Sequence, residues 1–150
     1  MSGILPEYVR RQNLRKLAIY LANLPDDCKH FDMYMYCYNS RTHCDINPAD
    51  VADVENECGT VACALGHGPA AGILPKREQS WVRYGMINFY GADQDDTIHT
   101  FLFGGTWKNL DNTAKGAAKR IYWYLEHGVP QHAYEQMDYQ ALNLDELVKS

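Results

Sequence analysis

The sequence predicts a mostly helical fold, α or α+β, in a single compact domain with a few short strands, and three observations carry that expectation. Leucines recur at steps of three and four within the first 25 residues. A capped helix with a stripe of small residues occupies 114–127, and only residues 31–38 alternate with a period of two. The domain is read as 1–150, with a core over about 6–130 and a polar C-terminal tail over 131–150. A chain of 150 residues has the usual length of one domain and buries roughly two-thirds of its unfolded surface. At 46% hydrophobic and 12% aromatic residues it holds enough apolar material to fill such a core.

In chain order, Pro6 suits a first helical turn, and Leu14, Leu17, Leu21 and Leu24 place one apolar stripe on a helix face. Asn23-Leu24-Pro25 ends that helix. In FDMYMYCYNS (31–40), Phe31, Met33, Met35 and Cys37 alternate with Asp32, Tyr34, Tyr36 and Tyr38, a strand-like period. Residues 39–57 read as loop, with a turn opening at Asn47-Pro48. Thr60 is the expected cap of a helix over Val61–His67, with Gly68 just past its end and Pro69 closing it. Ser80 caps a further helix, WVRYGMINFY, which stops at Gly91 and aligns Trp81, Tyr84 and Ile87 on one face. Residues 92–100 read as acidic and irregular, and FLFGGTW (101–107) as a short apolar segment turning at two glycines. Asp111, Asn112 and Thr113 offer three capping side chains ahead of Ala114–His127. There Ala114, Ala117, Ala118, Ile121 and Leu125 form a stripe that Gly128 and Pro130 terminate.

Net charge is −5, which argues against a protein that wraps nucleic acid through its phosphates. The charge is uneven. Residues 1–25 carry Arg10, Arg11, Arg15 and Lys16 against Glu7, whereas 26–57 carry eight acids against Lys29 and Arg41. Such a block is a solvated surface or a face for a basic partner. The five cysteines stand at 28, 37, 44, 58 and 63. Their odd number, with no apolar leader at the N-terminus and no apolar run of membrane length, points to reduced thiols in a cytoplasm and to no membrane partner.

The stretch ECGTVACALGHG (57–68) has three readings. Cys58 before a helix N-terminus would feel the positive end of the helix dipole, as a nucleophile does, and would need a base such as His99 or His127. Cys63 and His67, one turn apart, form a possible metal pair, but Cys58 would lie about 7 Å along the axis, too far to share a tetrahedral ion. Ala62, Cys63 and Ala64 would also simply let a neighbouring element approach closely. Close packing needs the fewest assumptions, so no catalytic or metal-ligating residue is favoured. Neither G-x-x-x-x-G-K-[ST] nor G-x-G-x-x-G occurs, and no cofactor is called for. Trp81, Arg83, Trp107, Arg120 and Trp123 are the binding candidates: such indoles and guanidinium groups would line a cleft for a base and phosphate, anchor a protein interface, or supply bulk in a small core, the more frequent role for residues like Trp81 and Trp107.

CGTVACALGH (58–67) and FLFGGTWKNLDNTAKGAAKRIYWYLEHGVP (101–130), behind an N-terminal leucine helix and an FDM segment, form a recognisable combination. Over most of residues 14–130 it resembles a group of small accessory proteins carried by bacteriophages and prophages, a group with no agreed activity. The resemblance implies a protein of the bacterial host cytoplasm. Together with the lack of a complete catalytic constellation, it favours a non-enzymatic binding protein that acts on a host component as a counter-defence factor. The partner would be a host protein or a small nucleotide signal, and self-association is compatible with either. The rival from another class is a cysteine-dependent hydrolase using Cys58 with a histidine from elsewhere in the fold.

Overall fold

The computed structural model describes residues 3–25, 31–32, 37–39, 44–46, 48, 60–75, 80–92, 97–105 and 111–129, and across them the chain is mostly helical. The first helix, α1 (Glu7–Ala22), starts after Pro6, whose carbonyl accepts from the Val9 and Arg10 amides at 3.0 Å. Leu14, Leu17, Ala18 and Leu21 are fully buried along one side, as their spacing requires. Leu24, beyond the helix end, packs on the same core.

Three short segments, β1 (Cys37–Asn39), β2 (Cys44–Asp45) and β3 (Thr60–Ala62), pair antiparallel in the order β2-β1-β3. Tyr38 stands opposite Asp45 on one side and Val61 on the other. Most of the alternating stretch 31–40, namely 33–36 and 40, lies outside the described residues. The helix expected over Val61–His67 is overturned. Thr60–Ala62 pairs with β1, and a single 3₁₀ turn follows at Leu65–His67. A seven-residue helix depends on tertiary packing for its stability. Here β-branched Thr60 and Val61 favour an extended partner over a helix that Gly66 would weaken. Gly68 is not a left-handed terminator either, since its φ is −53°. It is small because a Cβ there would meet the Tyr84 ring at 2.9 Å.

The next helix, α2 (Trp81–Gly85), continues without a break as a π-helical turn over Met86–Tyr90. Ser80 caps it as expected, its side chain accepting from the Arg83 amide at 3.2 Å. The Gly91 amide closes the π turn on the Met86 carbonyl at 2.9 Å, and Gly91 ends it with φ +73°. Carbonyls at a helix end lack intrahelical donors. Those of Ile87 and Asn88 are met from the N-terminal segment, by the Leu5 amide at 3.1 Å and Asn13 Nδ2 at 3.0 Å.

A second correction concerns residues 97–103, read from sequence as loop plus a short apolar segment. They form helix α3 (Thr97–Phe103). Phe101, Leu102 and Phe103 are all buried, so no helical period shows in the sequence, and the segment is held by surrounding packing instead of its own propensity. The last helix, α4 (Ala114–His127), has the expected bounds. Each residue of Asp111-Asn112-Thr113 takes its own task. Thr113 Oγ1 accepts from the Gly116 amide at 3.0 Å and donates to Asp111 at 2.6 Å, while Asn112 Nδ2 reaches Asp32 at 3.1 Å. Ala114, Ala117, Ala118 and Ile121 are buried and Leu125 partly so, against the leucine face of α1, the most extensive contact between elements.

Replacing Thr113 with Ala should cost about 1 kcal/mol through loss of the cap. Gly116→Ala is a sharper test. Helix propensity alone would gain about 1 kcal/mol, but the new Cβ would sit 2.7 Å from the Asp111 carbonyl oxygen. Overpacking costs about 1–3 kcal/mol, so urea melts should show the variant destabilised despite its better helix former.

Candidate functional site

Cys63 follows β3 directly and is buried. Removal from water pushes its thiol up from the usual 9.0 to about 11, against the pull of the Gly66 and Leu65 amides and the charge of Arg120. The sulfur therefore caps the turn that leads to His67, and as a neutral, enclosed thiol it lacks the thiolate a nucleophile needs. His67 closes the turn, its amide donating to the Cys63 carbonyl at 3.0 Å. Its imidazole is 8% exposed, stacked on Phe31 with centroids 5.7 Å apart and tilted against Tyr20 at 6.1 Å. Cys63 and His67 do lie one turn apart, but among the described residues no group of three His, Cys, Asp or Glu side chains could hold a metal ion. Cys58 lies outside the described residues.

The two candidate bases occupy different settings. His99, on α3 and half-buried, places Nδ1 3.0 Å from the Tyr90 hydroxyl, with the two rings edge to face at 5.5 Å. Phe103 tilts against the same imidazole at 6.0 Å. His127 is the last residue of α4 and exposed, its ring 4.6 Å from Trp123 one turn earlier. Trp123 in turn rests on Phe101 of α3, centroids 5.5 Å apart.

Burial divides the binding candidates. The Trp81 indole is buried and donates from Nε1 to the Ile46 carbonyl at 2.8 Å, tying α2 to the chain just after β2. Arg120 is only 1% exposed and donates from Nη1 to the Gly104 carbonyl at 2.8 Å, at the end of α3. Arg83 is exposed on α2, and Trp123 is half-buried on α4. Trp107 lies outside the described residues. Two of the bases on α1 are also committed to the fold: Arg10 donates from Nε to the Leu5 carbonyl at 2.9 Å, and Arg11 from Nη2 to the Leu125 carbonyl at 2.7 Å. The ring stack around His67 and the Tyr90–His99 bond escape sequence reasoning, because their members meet through tertiary packing. No family model matches the chain, and neither a curated protein nor a solved structure matches it. Among the described residues no helix is long and apolar enough to cross a membrane.

A thiol held neutral in the fold makes stability depend on alkaline pH. Below pH 9.0 the thiol is protonated in both states, so its contribution is fully present. As pH rises toward about 11 the unfolded chain ionises and the folded one resists, so stability falls. Two units correspond to roughly 2–3 kcal/mol. The stability gap between wild type and Cys63→Ala, read from urea melts at pH 8 and 10.5, should shrink by an amount of that order. A constant gap would mean that the thiol is not held this way.

Proposed function

We propose that this protein is a phage-encoded, non-enzymatic binding protein of the bacterial cytoplasm that engages a host protein as a counter-defence factor. The proposal takes the chain as one domain, mostly helical with a few short strands. Its motif resemblance to phage accessory proteins supports the setting, and the Trp123–His127 edge supports the role. That edge is the observation that carries the reading: an indole half-buried on Phe101 and flanked by an exposed imidazole at a helix end. A ring already held by its own fold loses little freedom on binding, and such aromatics dominate interface energies. A small nucleotide signal is the weaker partner, because a stacking and phosphate cleft would draw on Trp81 and Arg120, and both side chains are buried with donors directed at backbone carbonyls.

The rival, a hydrolase using Cys58, keeps one supporting observation, the Tyr90–His99 bond, which resembles an oriented base. Two measurements separate them. Capture of a host protein by the immobilised chain should drop at least tenfold with Trp123→Ala, the loss of a hot spot worth about 2 kcal/mol. Equal capture by the variant, with unchanged circular dichroism, removes the surface from the proposal. Alkylation of Cys58 many-fold faster than free cysteine at neutral pH would favour the hydrolase instead.

A further inference from the structure

We propose that Tyr90 holds His99 as the tautomer protonated at Nδ1, which makes Nε2 the nitrogen that takes up a proton. The Tyr90 hydroxyl lies 3.1 Å from the Val82 carbonyl and 3.0 Å from His99 Nδ1. A carbonyl oxygen only accepts, so the first contact is a hydrogen bond only if the phenolic proton points there. With that proton committed, the phenol oxygen meets the imidazole with its lone pairs, and the bond at Nδ1 requires an N–H from the ring. The opposite assignment would set two oxygens face to face at 3.1 Å with no proton between them, a part-buried repulsion of lone pairs. The Val82 carbonyl also accepts from the Met86 amide, and its second lone pair suits the phenol.

The backbone is shaped for this contact. Closing bonds five residues apart, the π turn sets the Tyr90 ring back over Gly85, where a Cβ would stand 2.6 Å from a ring carbon. Tyr90 is thus a positioning residue acting on His99. Which imidazole nitrogen is basic follows from the bond made by the other. The inference stands whichever functional reading holds. Under the hydrolase reading it selects His99 over His127 as the base, since His127 meets only an indole ring among the contacts described for its imidazole.

Long-range ¹⁵N–¹H spectra of ¹⁵N-histidine-labelled protein, at a pH where His99 is neutral, read the tautomer directly, with His99→Gln to assign the signals. Wild type should show a protonated Nδ1 and an unprotonated Nε2 in His99. Tyr90→Phe, which keeps the ring and removes only the hydroxyl, should shift that tautomer ratio about five- to tenfold toward the Nε2–H form, the worth of one hydrogen bond. A wild-type His99 protonated at Nε2, or a Tyr90→Phe ratio unchanged from wild type, overturns the proposal. The wild-type spectrum decides even if the variant folds poorly, and neither spectrum depends on Cys58 reactivity.

Discussion

The seam between α1 and α4 is the contact on which the rest of the described chain depends. Leu14, Leu17 and Leu21, on the α1 face that meets α4 and the rest of the core, are fully buried, and burying each such side chain is worth about 1.5–3 kcal/mol. The facing helix answers with Ala114, Ala117 and Ala118, whose short side chains let the backbones approach closely. The same N-terminal segment then supplies donors to the open ends of two other helices. Arg11 reaches the Leu125 carbonyl of α4, while Asn13 and the Leu5 amide reach the end of the π turn. Docking α1 and the residues just before it thus gives donors to carbonyls at both helix ends at once.

Polar side chains inside the core fix where the connecting segments lie. Arg120 is a guanidinium with almost no contact with water, and its bond to the Gly104 carbonyl pins the chain as it leaves α3. Tyr84, fully buried, donates its hydroxyl to the Ile73 carbonyl, and burial lifts its phenol well above the usual range. Trp81 does the same for Ile46. Each bond is worth only about 1 kcal/mol net, but leaving its buried partner unmet would cost more, so these contacts select one arrangement of loops. Of the cleft and core roles that the sequence left open for Trp81, the fold takes the core, and Arg120 serves the interior with it.

Helices written in local chemistry were legible in the sequence. The α4 bounds follow from Thr113, the alanine stripe and Gly128, and the α1 face follows from leucine spacing; both need only neighbours within a few residues. Elements decided by distant partners were not. Residues 60–67 carried capping and terminator signals for a helix, yet Thr60–Ala62 found β1, and Gly68 answered to the Tyr84 ring sixteen positions away. Residues 97–103 hid a helix because all sides of its end are buried, which erases the apolar–polar period that sequence reading depends on. The π turn was invisible for a related reason: its extra residue per turn appears as nothing more than continued helix. The candidate site divides the same way. The Trp123–His127 pair is local, four residues apart on one helix, whereas Tyr90 meets His99 only because two helices pack.

That division bears on what each histidine can do. His127 is placed by helical spacing at an exposed end, where its ring lies against that of half-buried Trp123. His99 is placed by packing, between the Tyr90 and Phe103 rings, with one nitrogen already engaged. An exposed edge supported from beneath suits association, in which the energy comes from displaced water and rigid area. An imidazole with one nitrogen tied inward suits proton transfer, in which geometry at a single atom matters. For the binding reading, Tyr90 and His99 are then a structural joint between α2 and α3. For the hydrolase reading they are half of a catalytic pair whose other half is not Cys63, because that buried thiol after β3 is held neutral.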